Sequence, residues 1–244
     1  MSDVYISALV DERLKAYLRG EGHNLIQIED TGLVYEEVAS HPDIYMCKLG
    51  AQPEDPVFVG DREKLGFKYP ANIRYNAAVC GKYFIHNLKY TAPELLEAAK
   101  QHIGKKYAGA TDTEAVTFIN VPQGYTKCNI VVVDDSHIIT EDVGIAKAID
   151  KAMQATASNS TETAEDCRIK VLLIEPKQVK LPGFKYGFIG GASGRIGDEI
   201  IFNGDLAAHS DFKKIKEFIE GCGLKLKYFE EYPLTDIGSI IESA

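Results

Sequence analysis

The stretch PQGYTKCNIVVVDDSHIITEDVGIAKAI, residues 122–149, holds two short β-rich runs joined by an Asp-Asp turn, and then the opening of a helix. Runs of β-branched residues on either side of a tight polar turn read as a hairpin. In the following DVGIAKAIDKAM, apolar Ile145, Ala148 and Ile149 recur at spacings of three and four, the period of an amphipathic helix. Another β-rich run, VLLIE at 171–175, comes after it. The stretch therefore belongs to a module of strand, strand, helix, strand.

The same succession recurs on both sides of it. Helical periodicity marks DERLKAYLRGEG, TAPELLEAAKQHIG and SDFKKIKEFIEGCG, each preceded by a β-rich run (VYISAL, KYFIHN, EIIFNGD) and followed by another (LIQIE, VTFIN, LKYFE). Thr91 and Glu94 form a capping-box pattern at the start of the second of these helices, and glycine stands at the end of three of them. Aligning the hairpins gives a common start in RYNAAV, KCNIVV and KYGFIG, and HPDIYM and LTDIGS fit the same pattern. The aligned position is held by Asp43, Asn76, Asn129, Gly187 and Asp236, at intervals of roughly fifty residues, once shortened, which is the signature of a repeat architecture. The reading is an α/β fold of five modules closed into a ring with pseudo-fivefold symmetry. IGSII pairs with VYISAL across the termini, and the module in the short interval lacks its helix.

Composition sets bounds on function. The chain has 244 residues, 45% of them hydrophobic, enough for a sizeable core, and is read as one domain over 1–244. No apolar run approaches the ~20 residues that span a bilayer, and charge comes too early for a secretory leader, so a cytoplasmic protein without membrane partners is expected. A net charge of −9 argues against sequence-independent nucleic-acid binding. The five cysteines, Cys47, Cys80, Cys128, Cys167 and Cys222, show no paired spacing and read as free thiols. The polar tract QATASNSTETAED reads as a surface loop.

A ring of five such modules resembles the pentein fold of the guanidino-group-modifying enzymes, which include arginine deiminase, agmatine deiminase and dimethylarginine dimethylaminohydrolase. TKCNIVVVDDSHIITED and GFIGGASGRIGDEIIFNGD are similar to an uncharacterised bacterial family placed in that fold. The resemblance implies a site at the ring axis. The hydrolases resembled use a late cysteine, a histidine and a carboxylate. Here the closing PLTDIGSII offers Asp236 or Ser239 and no cysteine, and KYGFIGG lacks the histidine. Their activity is therefore not carried over. The fold also includes a binding protein without chemistry, the ribosome anti-association initiation factor.

If the aligned starts are strands, residues two apart share a face. His41 then lies with Asp43, Arg74 with Asn76, Lys127 with Asn129, and Lys185 with Gly187. Converging at the axis, these residues with Asp236 and Ser239 form a ligand-binding mouth, with carboxylates for an amine or guanidinium and cations, Arg74 above all, for a carboxylate. The expected ligand is a small bipolar metabolite, with hydrolysis of a C–N bond by a non-standard residue set as an extension. A non-catalytic interaction module of the same fold is the alternative reading. No cofactor or metal spacing is seen, and oligomeric state is left open. Alternation turns Cys128 away from Asn129, in the slot that Tyr75 and Tyr186 occupy, so packing is its expected role; Cys47 and Cys80 read as core. GGASGRIG leads into a strand and not a helix, so it reads as a close backbone approach and not a phosphate loop.

Overall fold

The computed structural model describes residues 2–107, 116–159 and 168–243. β1 (Asp3–Ser7), α1 (Glu12–Gly20) and β2 (Asn24–Ile28) come first. A single helical turn, α2 (Pro42–Tyr45), leads into β3 (Met46–Lys48) and β4 (Val57–Val59). Next are β5 (Ala78–Cys80), β6 (Tyr83–His86), α3 (Pro93–Tyr107) and β7 (Thr117–Asn120). A second single turn, α4 (Thr126–Asn129), leads into β8 (Ile130–Val132), β9 (His137–Thr140), α5 (Val143–Asn159) and β10 (Lys170–Leu173). β11 (Ser193–Ile196), β12 (Glu199–Phe202), α6 (Phe212–Gly221), β13 (Lys225–Lys227) and β14 (Ile241–Ser243) complete the order.

Among the described residues the strands form five small sheets, ordered β14-β1-β2, β3-β4, β5-β6-β7, β8-β9-β10 and β11-β12-β13, and none closes into a barrel. In each three-stranded sheet the first pair is antiparallel and the second parallel, with the helix as the crossover. The sheet β3-β4 has neither helix nor third strand. Tyr5 pairs with Ile241 and Asp3 with Ser243, so the two ends of the described chain share a sheet.

Alternation along the central strands distributes the core. Ile138 packs with Cys80, Ile85 and Ile145, while its neighbour Ile139 packs with Phe202, Ile215 and Ile219. The same split separates Phe84 from Ile85 and Ile200 from Ile201. Each apolar cluster therefore spans two sheets that neighbour each other in space, and the clusters link all five sheets in a closed succession. Burial of each such Ile, Leu or Phe contributes about 1.5–3 kcal/mol, so the inter-sheet contacts are the main source of stability.

The polar tract departs from expectation at its start, because α5 continues through Asn159; its remainder, with Cys167, lies outside the described residues. Thr91 is held by His86 Nδ1 at 2.7 Å and donates to the Asn87 carbonyl, and the helix begins at Pro93. The described cysteines Cys47, Cys80, Cys128 and Cys222 are free thiols. No helix among the described residues is long and apolar enough to cross a membrane.

Candidate functional site

The aligned segments are not strand starts. Residues 42–45 and 126–129 are single helical turns, Asn76, Gly187 and Asp236 lie outside any helix or strand, and the strands begin one to six residues after the aligned positions. In a helical turn successive side chains rotate by about 100°, and the two-residue alternation expected of a strand does not hold. That difference decides where the side chains of 42–45 and 126–129 point.

The five segments are stitched into a closed circuit. Asp43 N donates to Gly238 O (3.1 Å), Asn76 Nδ2 to Asp43 O (3.1 Å), Lys127 N to Asn76 O (3.1 Å), Gly191 N to Cys128 O (2.7 Å) and Ser239 N to Gly191 O (2.8 Å). In the fourth segment the position in the circuit belongs to Gly191 and not to Gly187, whose N–H bonds Val179 O. In the fifth it belongs to Gly238 and Ser239, while Asp236 N bonds Lys180 O. Glycine is needed where the backbones close up: a Cβ on Gly191 would stand 2.0 Å from Asp236 Oδ1, and one on Gly238 (φ +70°) would stand 2.1 Å from His41 Cβ.

Asp43 sits at the centre, fully buried. Its Oδ2 accepts from Ser239 Oγ (2.8 Å) and from Cys128 Sγ (3.1 Å), and its Oδ1 has no hydrogen-bond partner among the described residues. Ser239 is a non-glycine residue at φ +75°, a conformation costing about 1–3 kcal/mol that the surrounding contacts must maintain. Lys127 Nζ donates to Ser239 Oγ (3.0 Å) and to the Gly190 and Ile130 carbonyls. Asn76 Oδ1 accepts from the backbone of Lys127 and Cys128, and its Nδ2 reaches Cys128 Sγ at 3.2 Å.

Asp236 accepts from Phe188 N on Oδ2 and from Gly238 N on Oδ1, each at 3.0 Å, and His41 Nδ1 lies 3.8 Å from Oδ1. Burial raises the Asp236 carboxyl to about 6, with the two backbone donors and Lys127 pulling the other way. Burial also raises Asp43, which the neighbouring His41 opposes and Asp236 reinforces. His41 is pushed down to about 4 by burial, against the pull of Asp43. Burial lowers Lys127, against the attraction of Asp43. Cys128 is raised well above the usual thiol range by burial and by Asp43. At neutral pH the group is a thiol, a neutral imidazole and buried carboxyls, and the nearby Lys127 is already bonded inward.

Above this cluster opens a cavity of about 330 Å³. His41, Cys128 and Asp236 form its polar end, and Tyr35, Tyr125, Phe184, Tyr186 and Phe188 wall it, with Lys185 exposed at the rim. A second cavity of about 330 Å³ shares His41, Leu181 and Asp236 with the first and is bordered by Glu36 and Glu37.

The structure thus gathers His41, Asp43, Asn76, Lys127, Asp236 and Ser239, and puts Lys185 at the entrance. Two of the residues expected in the mouth are placed differently. Arg74 lies beside the Tyr75 hydroxyl and Glu94 and does not line the cavity. Asn129 donates to Tyr125 O inside its own helical turn and does not line the cavity. Cys128 corrects the alternation argument: it faces Asp43 and the cavity, not a packing layer behind them. The aromatic wall went unread in the sequence, although Tyr125, Tyr186 and Phe188 all stand within a few positions of the aligned starts. Outside this region Asp134, His137 and Cys222 gather within 4.8 Å of one another, yet His137 and the Ser136 N–H already engage Asp134 as in an ordinary hairpin turn.

Residues 5–241 match DUF6873, a family of unknown function, and the chain belongs to that family. No relative among curated proteins matches it.

Proposed function

We propose that the protein binds a small bipolar molecule whose cationic group enters the cavity and settles against Asp236, with buried Asp43 behind it, while an anionic group meets Lys185 at the rim. One observation carries the reading: Asp43 and Asp236 are both buried, Asp236 raises Asp43, and Lys127, which acts on both, bonds Ser239 and backbone carbonyls and neither carboxyl. Buried carboxylates lacking a dedicated counter-ion favour a cation supplied from outside. The second cavity adds Glu36 and Glu37 and no lysine or arginine. A concave cavity with a polar end and aromatic walls is what a ligand site requires, and it favours this reading over an interaction module.

The fold fits the same picture. The closed hydrogen-bond circuit and the cyclic succession of inter-sheet cores support a pentein-like propeller of five modules, with β3-β4 as the module that lacks its helix. In such a ring the cavity lies at the axis.

A second reading, hydrolysis of a C–N bond, is favoured by the Cys128 thiol, which donates to Asp43 at the polar end of the cavity. A carboxylate with a raised pKa is a competent acceptor for a thiol proton once a cation is bound beside it. Binding is tested by thermal shift with amino acids, amines and guanidino compounds, using Asp236→Asn as control. Stabilisation that the variant loses supports the reading, and no stabilisation by any cationic compound rejects it.

A further inference from the structure

We propose that the cationic group is an alkylated ammonium, of the kind carried by an N-trimethylated amino acid, and not an N–H-rich guanidinium or primary amine. This rests on the cation-binding reading above and names its ligand class. Three features of the cavity carry it.

The acceptors at the cavity are few and most already hold a partner; His41 Nδ1, at the polar end, has none among the described residues. Each Asp236 oxygen takes a backbone N–H, from Phe188 or Gly238. The Tyr35 and Tyr125 hydroxyls bond each other, and Asn72 Nδ2 donates to Tyr125. The free Asp43 Oδ1 belongs to a residue with no exposed surface and is not part of the cavity lining. A guanidinium brings five N–H donors, more than these few acceptors can meet, and each one left unmet away from water costs about 1–3 kcal/mol. A trimethylammonium brings none.

The walls suit such a group. Tyr35 and Phe184 meet at 61° with centroids 6.0 Å apart, and Tyr186 and Phe188 at 75° with centroids 6.2 Å apart, so the aromatic lining forms two near-perpendicular corners. Rings set at such angles surround a cation spread over methyl groups, which they attract through their quadrupoles while burying its apolar surface. The Asp236 carboxylate then supplies charge without needing a donor from the ligand. The volume admits a small metabolite, and Lys185 at the entrance is placed for its carboxylate. The resulting ligand is a betaine-like zwitterion.

The test is calorimetric titration and thermal shift of the intact chain with N,N,N-trimethylglycine and tetramethylammonium, alongside arginine, methylguanidine and methylamine. The neutral isostere 3,3-dimethylbutanoate, which keeps the shape and the carboxylate, completes the set. The trimethylated cations are expected to bind more tightly than the N–H-rich ones and the neutral isostere. Phe184→Leu, at a half-exposed position where folding is not at risk, is expected to weaken them by roughly threefold to thirtyfold, the range for loss of one cation–π contact. Tighter binding of arginine or methylguanidine would overturn the alkylated class and leave the cation reading standing. Equal binding of the neutral isostere, or no binding of any cation, would overturn both. An unchanged affinity in Phe184→Leu would overturn the aromatic enclosure.

Discussion

The Ser239 hydroxyl donates to Asp43 Oδ2 at 2.8 Å across 196 positions of sequence, and it does so from a backbone held at φ +75°. The two residues come from the segments that close the hydrogen-bond circuit, so the contact joins the end of the chain to an early turn. It also supplies Lys127 with an acceptor, which makes one strained serine the link between a buried acid and a buried base.

Substitution at Ser239 separates strain from bonding. Ser239→Ala keeps the unfavourable backbone and leaves both Asp43 and Lys127 short of a partner, with an expected loss of about 1–3 kcal/mol. Ser239→Gly loses the same hydroxyl but relaxes the left-handed conformation, so it should cost less. Urea denaturation of both variants checks this; an equal or larger loss in the glycine variant would remove strain from the account.

The pH dependence follows from opposite shifts at His41 and Asp236. His41, lowered to about 4, binds fewer protons folded than unfolded between its folded and ordinary values, so its contribution to stability rises with pH across that window. Asp236, raised to about 6, binds more protons folded than unfolded from the ordinary carboxyl range up to 6, so its contribution falls as pH rises. Asp236→Asn removes only the falling part. Its stability should therefore climb more steeply between pH 4.5 and 6.5, in roughly the window those shifts define, than that of the unaltered protein. Parallel slopes in urea titrations at the two pH values would contradict the raised carboxyl.

Ligand binding should share that titration. The site attracts a cation only once Asp236 is ionised, so affinity should strengthen as pH rises to about 6 and level off above it. Calorimetry across this range reads the inflection directly.

Cys128 is expected to be slow to alkylate. Its thiol is raised by burial and by Asp43, so iodoacetamide at neutral pH should modify it far more slowly than an exposed cysteine, as followed by peptide mass spectrometry. Cys128→Ala should cost about 1–3 kcal/mol through the small cavity and the lost donor. Rapid modification at pH 7 would show a thiolate and revise the protonation state of the whole cluster.

Arginine, agmatine and methylated arginines should yield neither citrulline nor ammonia. The closing segment carries Asp236 and Ser239 where the resembled hydrolases have their cysteine, and Cys128 stands in a different segment. Sustained turnover of any of these compounds, in a coupled ammonia assay, would show that Cys128 replaces the missing nucleophile.

The modules were legible in the sequence because their signals are local. Helical spacing of Ile145, Ala148 and Ile149, the β-branched run in HIIT, and polar or glycine turns between paired runs each act within a few residues. The pairing of the two ends followed from counting modules, and Tyr5 opposite Ile241 agrees with it. The direction of the site side chains was not legible. Four-residue segments such as 42–45 and 126–129 are too short to display a period, and a single turn of helix there is stabilised by the tertiary hydrogen bonds of the circuit and not by its own sequence. That one difference, about 100° per residue in place of 180°, brings Cys128 onto Asp43 and keeps Asn129 within its own turn. The sequence by itself determined which residues stand near the closure of the sheets; only the tertiary structure decided which of them face the cavity, because a turn takes its conformation from the neighbours it bonds.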